Sequence, residues 1–227
     1  DGKGQTHVNS INEVKAIFDN SKEKEFVLEK KLDLDKEISV VLSRSLNGVT
    51  KIFPVIENQH KAGILDLSIV PARVSEDFKK EATAYALDIA NNLNYVGTIA
   101  VEFFISENKL YVNEIAPRPH NSGHFSLDAC NVSQFDQQVL ALIGRDLEDI
   151  RLEKNAVMLN LLGDLWLQNG EIKKPKFEEV EGNDINIHLY GKDSPRIGRK
   201  MGHITLVGDD IENLIIKAEE IRSKLWR

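Results

Sequence analysis

One run constrains this chain more than any other: Val112-Asn113-Glu114-Ile115-Ala116-Pro117-Arg118-Pro119-His120-Asn121-Ser122-Gly123-His124. It opens as an apolar strand, delivers an amide and a carboxylate, and ends in a loop holding an arginine and two histidines. An earlier strand, Ile99-Ala100-Val101-Glu102-Phe103-Phe104, carries a second carboxylate in a similar place. Two strands that each present a carboxylate at the same end can hold a magnesium ion between them, because Mg²⁺ prefers oxygen ligands and bridges phosphate oxygens. Glu102 and Glu114 are therefore the expected metal ligands, with Asn113 beside them. A glutamate before a Pro-rich turn is common packing. Two such strands followed by Arg-Pro-His-Asn-Ser-Gly-His are harder to ascribe to packing alone.

The loop supplies the chemistry beside that metal. Arg118, His120 and Asn121 suit an anionic acceptor, and His120 is the expected proton carrier because an imidazole titrates near working pH. His124 is expected to buttress the loop. A second cluster, Pro195-Arg196-Ile197-Gly198-Arg199-Lys200-Met201-Gly202-His203, concentrates cations beside glycines in a chain whose net charge is −7. Such clusters are usually solvated faces, but arginine forks and lysine point charges also bind phosphate. The acidic balance argues against a general nucleic-acid or membrane surface. A single cysteine, Cys130, excludes an internal disulfide, suits a reducing, cytoplasmic compartment, and reads as a small buried residue.

Periodicity places the elements. Ser10 caps a helix over 11–20, Phe26-Val27-Leu28 reads as a brief buried strand, and strands follow at 38–44 and 49–56 around Asn47-Gly48. Ser75 opens a long helix to about Leu93, with Phe78, Ala82, Tyr85, Leu87 and Ile89 among its apolar positions. A hairpin joins strands 97–105 and 109–115 through Ser106-Glu107-Asn108. A helix over 134–143 ends at Gly144. Short strands at 157–162, 185–189 and 203–207 precede a last helix over 211–224, with a soft domain boundary near Asp149.

The stretch Asn113-Glu114-Ile115-Ala116-Pro117-Arg118-Pro119-His120-Asn121-Ser122-Gly123-His124, continued by Ser133-Gln134-Phe135-Asp136-Gln137-Gln138, resembles the ATP-grasp ligases of purine biosynthesis. Within them it is most similar to the 5-(carboxyamino)imidazole ribonucleotide synthetases, from Asp1 to about His203. The resemblance implies an α/β (α+β) fold: an ATP-grasp domain with an antiparallel sheet flanked by helices over 1–149, and a small β-rich carboxy-terminal domain over 150–227. It also implies that an amino-terminal domain precedes this chain, that ATP and Mg²⁺ are cofactors, and that the protein is a homodimer.

The same resemblance assigns roles that local sequence leaves open. Gly2, Lys3, Gly4 and Gln5, otherwise a solvated glycine turn, become a phosphate loop. Glu29, Lys30, Lys31 and Leu32 become an adenine-binding hinge and Glu37 a ribose ligand, where a solvated charge run is the alternative. His60, otherwise a surface histidine, becomes a nucleotide contact. Lys192, Arg199 and Lys200 become ligands for the substrate phosphate. The implied reaction carboxylates 5-aminoimidazole ribonucleotide with bicarbonate and ATP. The rivals are another ATP-grasp ligase, such as a formate-dependent glycinamide ribonucleotide transformylase, or an ATP-binding module without turnover.

Overall fold

Along residues 36–44 apolar side chains alternate with polar ones, and that alternation fixes the architecture. Ile38, Val40 and Leu42 point to one side, while Ser39 and Ser43 point to the other. The computed structural model describes residues 5–21, 25–168 and 171–226. It divides into two units, Asp1–Asp33 and Leu34–Arg227.

In the first unit, helix α1 (Ile11–Asn20) starts at Ser10, whose hydroxyl accepts the Glu13 N–H at 3.3 Å. The Glu13 carboxylate in turn accepts the Asn9 N–H at 2.9 Å. Phe18 meets Phe26 edge-on at 5.8 Å. The strand expected at Phe26-Val27-Leu28 does not form, and Val27 is 86% exposed. A strand is stabilised by a paired neighbour and a covered face, and none pairs with this segment among the described residues.

The second unit is built on a nine-stranded antiparallel sheet, counted among the described residues. Its strands are β1 (Lys36–Arg44), β2 (Thr50–Ile52), β3 (Ile56–Lys61), β4 (Ile64–Val70), β5 (Gly97–Ser106), β6 (Lys109–Ala116), β7 (Asn155–Leu162), β10 (Ile185–Leu189) and β11 (Lys200–Gly208). The path runs β10-β11-β7-β4-β3-β1-β5-β6, with β2 paired to β1. Strands β8 (Leu167–Gln168) and β9 (Glu171–Ile172) form a separate small ribbon. Because β7 pairs with β4, strands from both sides of Asp149 share one sheet.

Two expectations change here. The single strand expected over 49–56 splits into β2 and β3. Leu42 faces Ile52 while Ser39 faces Ile56, so one residue is extra, and it falls at Phe53-Pro54-Val55, where Pro54 has no N–H for a ladder. Strand β4 is an addition to the expected set. Its hairpin turns through Ala62 (φ 50°) and Gly63 (φ 73°), and an alanine stands where asparagine or aspartate ordinarily marks such a turn.

Two helices cover one face of the sheet. Helix α2 (Glu76–Asn92) lies on Ile38, Val40, Leu42, Ile99, Val101 and Phe103 through Ala82, Ala86 and Ala90, flanked by the partly buried Phe78, Leu87 and Ile89; of the apolar positions expected, Tyr85 departs, at 42% exposed. Alanines four apart make a flat stripe that lets the helix sit close to the strands. Helix α5 (Ile211–Leu225) packs Leu214, Ala218, Ile221 and Leu225 on Leu67, Leu159, Ile204 and Leu206. The opposite face carries Ser39, Ser68, Glu102, Asn160 and His203, and there the loop after β6 folds down, followed by α3 (Ser126–Ala129) and α4 (Gln134–Leu142). No helix among the described residues is long and apolar enough to cross a membrane.

One buried ion pair ties strand to helix. Burial works against the Glu57 carboxylate, but hydrogen bonds from Arg73 and Lys36 outweigh it and hold its carboxyl below the usual range. Arg73 donates to both Glu57 oxygens, at 2.8 and 3.1 Å, and to Glu212 of α5 at 3.0 Å. Arg73→Ala leaves this carboxylate with Lys36 as its remaining cation. The expected loss is about 2–3 kcal/mol, less than for a wholly unpaired buried charge, read from the urea-unfolding midpoint. An unchanged midpoint would show the pair to be energetically neutral.

Candidate functional site

The two carboxylates sit on neighbouring strands because the β5–β6 ladder carries a bulge. Glu102 faces Glu114 and Phe103 faces Val112, so Asn113 is the extra residue. A bulge sets two residues against one and re-aims side chains that strict alternation would separate. Asn113 and Glu114 thereby both oppose Glu102, and the Asn113 amide donates to the Glu102 carboxylate at 3.4 Å. Burial, with the charges of Glu114 and Glu37, pushes the Glu102 carboxyl up, against the opposing pull of His60. The oxygen-only donor set fits a hard divalent cation, which would relieve that repulsion.

His120 lies against Glu102, with Nε2 3.2 Å from Oε1. It is 8% exposed. Burial, reinforced by the charges of Lys200 and Arg118, pushes its pKa down to about 3. The expectation of an imidazole titrating near working pH is therefore corrected: His120 is neutral there. Asn121 also departs from expectation. Its amide makes a reciprocal pair with Asn160 of β7, at 2.7 and 3.0 Å, so it anchors the loop to the sheet instead of facing an acceptor. Arg118 is exposed, with a guanidinium nitrogen 3.0 Å from the Pro119 carbonyl.

A residue outside the expected set shapes this loop. Gln134, at the start of α4 and fully buried, accepts the His120 N–H at 2.9 Å and donates to the His120 carbonyl at 2.7 Å. It also bonds His124 Nδ1 at 2.9 Å. Gly123 is required for this approach, since a Cβ there would lie 2.5 Å from Gln134 Oε1. The sequence signal was the Ser133/Asp136 capping box, which fixes where α4 begins and so where Gln134 stands.

The basic cluster joins the carboxylates. Lys200 is half-buried; burial and the charges of Arg118 and Lys192 lower its pKa, and Glu102 and Glu114 raise it. Lys192 donates to the Lys200 carbonyl at 2.5 Å and lies over the Tyr190 ring at 5.3 Å. Arg199 donates to Ser194 at 2.6 Å. Glu37 and His60 are also brought together, with Nδ1 2.7 Å from Oε2 but poorly aligned for a hydrogen bond. Gly2, Lys3 and Gly4 lie outside the described residues. Gln5, Glu29, Lys30 and Lys31 are exposed and Leu32 half-buried, all in the first unit and outside any strand.

Behind the loop, His124 packs against His203 and Phe135, with ring centroids 5.0 and 5.5 Å away, as a buttress. Asp128, His188 and His203 offer ligand atoms within 4.8 Å of one another. The His188 and His203 rings, however, stack 17° from parallel at 4.6 Å, and a shared metal would have to lie in both ring planes. His188 is instead held by Asp128 at 3.0 Å. Burial pushes the Cys130 thiol up to about 12, so it stays protonated and inert.

The chain matches the ATP-grasp domain family over residues 1–135 and the phosphoribosylaminoimidazole carboxylase C-terminal domain over residues 156–217. It is 44% identical over 214 residues to an N5-carboxyaminoimidazole ribonucleotide synthase of Staphylococcus aureus (strain COL), covering 93% of this chain and 55% of that protein. The crystal structure of the N5-carboxyaminoimidazole ribonucleotide synthetase of Thermus thermophilus superimposes with a TM-score of 0.87 at 35% identity, covering 98% of this chain and 59% of the other. An Aspergillus clavatus N5-carboxyaminoimidazole synthase, solved with ADP and 5-aminoimidazole ribonucleotide, gives 0.86 at 26% identity, covering 99% and 61%. The chain thus spans a little over half the length of these relatives.

Three histidines carry a pH dependence. Burial lowers His120 and His203 to about 3 and His124 to about 4, from an unfolded value of 6.5. Below about pH 6.5 the unfolded chain takes up protons that the folded protein refuses, so stability falls as pH drops through that window. Chemical denaturation at pH 7 and pH 5 is expected to show the decline. His203→Gln should reduce it by roughly 1–2 kcal/mol, and an unaltered pH dependence in that variant would show that His203 titrates normally.

Proposed function

This chain belongs to the ATP-grasp family, and from that premise we propose that the complete protein carboxylates 5-aminoimidazole ribonucleotide. The γ-phosphoryl group of ATP passes to bicarbonate, giving carboxyphosphate and ADP. The exocyclic amine then attacks the carboxyl carbon, the bond to the phosphate oxygen breaks, and the amine loses a proton. The products are 5-(carboxyamino)imidazole ribonucleotide and phosphate, on the route to IMP. The observation that carries this reading is the meeting of Glu102 and Glu114 with Lys200, Arg118 and His120 on one face of the sheet. Carboxylates that hold a cation and cations that hold an anion stand side by side there, as phosphoryl transfer to a small anion requires.

Within this reading Glu102 and Glu114 hold magnesium, with Asn113 on the triphosphate. When bound, the ion supplies charge neutralisation to the phosphate oxygens. Gly2, Lys3, Gly4 and Gln5 cover the phosphates, Glu29 to Leu32 receive the adenine, and Glu37 and His60 contact the nucleoside. Lys192, Arg199 and Lys200 bind the ribose phosphate, with Lys200 reaching toward the carboxylates. Arg118 attracts the bicarbonate. His120, neutral, lies against Glu102 beside the place where the reacting carboxyl group is kept out of water. We place the end of the ATP-grasp part near Asp149, with a small β-rich domain after it, and take the enzyme to be a homodimer. The single cysteine suits a cytoplasmic setting.

Calorimetry with ATP, followed by phosphate release with and without 5-aminoimidazole ribonucleotide, tests the reaction. ATP binding with phosphate release that depends on the ribonucleotide is expected; binding with no release would reduce the protein to a nucleotide-binding module. Glu114→Gln should abolish turnover, through a loss on the order of several kcal/mol of transition-state stabilisation, while circular dichroism stays unchanged. Near-normal kcat at saturating magnesium would remove Glu114 from the metal site. Lys200→Ala should raise KM for the ribonucleotide by roughly 1.5–3 kcal/mol, far more than KM for ATP. Equal effects on both substrates would take Lys200 out of the phosphate site.

A further inference from the structure

The buried polar atoms behind His120 form a single connected chain. The Ser68 hydroxyl lies 2.9 Å from Asn58 Oδ1, and Asn58 Nδ2 donates to the Ser39 hydroxyl at 2.8 Å. The Ser39 hydroxyl lies 2.9 Å from that of Ser122, which lies 2.9 Å from His120 Nδ1. At the far side of the ring, His120 Nε2 faces Glu102 at 3.2 Å. Ser39, Ser68 and Ser122 are fully buried and Asn58 is 5% exposed. The chain thus crosses β4, β3 and β1 to the loop with almost no access to water.

Its direction is fixed by groups that can only donate. An amide NH₂ has no lone pair to offer, so the Ser39 oxygen accepts from Asn58 and its own proton goes to Ser122. The Ser122 oxygen keeps a second lone pair, so the hydroxyls alone allow it either to donate to His120 Nδ1 or to accept from it, and a donor-only group at Nδ1 decides. An amide side chain can be turned over in principle, but a backbone N–H cannot, and the Ser122 N–H also points at Nδ1, 3.3 Å away. Nδ1 is therefore a lone pair, and the one ring proton sits on Nε2, facing the carboxylate.

We propose that Asn58, Ser39 and Ser122 are positioning residues that lock His120 as the Nε2–H tautomer, so that the ring presents a proton, not a lone pair, to Glu102. The proposal rests on the placement of Glu102 and His120 at the reacting site. It assigns His120 the part of a neutral donor that orients the Glu102 carboxylate, in the way outer partners orient metal ligands. It also means that Nε2 does not serve as a base in the resting protein.

Long-range nitrogen–proton NMR of the complete protein labelled at histidine tests this without any substrate. His120 is expected to give the Nε2–H pattern alone; an Nδ1–H pattern or a mixture overturns the lock. Ser122→Ala should produce mixed tautomers at His120, lower kcat for carboxylation about tenfold, and leave KM for ATP within about twofold. Ser122→Thr, which keeps the hydroxyl, should restore both. A Ser122→Ala protein with the parent tautomer and kcat overturns the positioning role. If that variant does not fold, Ser39→Ala breaks the next link and is read in the same way. A parent protein that shows the Nε2–H tautomer yet carboxylates nothing supports the lock and overturns the functional reading instead.

Discussion

Gln134 carries no charge and performs no chemistry, yet the loop between β6 and α4 takes its shape from this one amide. A loop laid over a sheet buries backbone groups, and each needs a partner. Gln134 meets the N–H and the carbonyl of His120 together, at 2.9 and 2.7 Å, as a neighbouring strand would. That clamp presses His120 against β1 and β5. Glycine at position 123 is the condition for it, because any side chain there meets the amide first.

The sheet makes this possible by keeping its faces distinct. On one, α2 and α5 bury aliphatic side chains and supply the hydrophobic stabilisation. On the other, polar groups are buried and several are answered: Ser43 by Thr98 at 2.7 Å, Asn160 by Asn121, Ser39 by Asn58 and Ser122, whereas His203 Nε2 and Thr205 Oγ1 of β11 have no hydrogen-bond partner among the described residues. A satisfied polar network rigidifies what it connects. The reacting groups are therefore held from behind by hydrogen bonds with directions, and not by apolar contacts that would allow the ring of His120 to turn.

Local sequence revealed much of this, and its failures have physical causes. Helices α1, α2, α4 and α5 start at Ser10, Ser75, Ser133 and Asp210, each a capping side chain, and two of these, Ser10 and Ser75, were legible as a cap or an element start. The β5–β6 hairpin was legible because apolar alternation and the Glu107-Asn108 turn agree. Strand β4 was hidden by an alanine in a left-handed position. The strand at Phe26 was an apolar run without a partner, which no local pattern can exclude. The two carboxylates were legible as a pair, whereas the bulge that aligns them is a property of the ladder. Asn121 was misread because its type suits an anion as well as it suits another amide, and only the position of Asn160, in a different part of the chain, decides between them.

The charges of the site follow from the same arrangement. Glu102 and Glu114 repel each other on adjacent strands, and Lys200 and Arg118 repel each other across the loop, so neither pair is comfortable alone. Burial heightens both effects, since charges are poorly screened away from water. Histidine at position 120 lies against Glu102 and, uncharged, adds to neither group. A charged imidazole would stabilise the carboxylates but repel the cations; burial, Lys200 and Arg118 settle that contest and keep the ring neutral. A neutral ring is also the form in which one nitrogen can accept from Ser122 while the other faces Glu102. The electrostatics that suppress its titration and the hydrogen bonds that select its tautomer therefore act in the same direction. What results is a site whose carboxylates call for a cation and whose lysine and arginine call for an anion, with a neutral ring against Glu102.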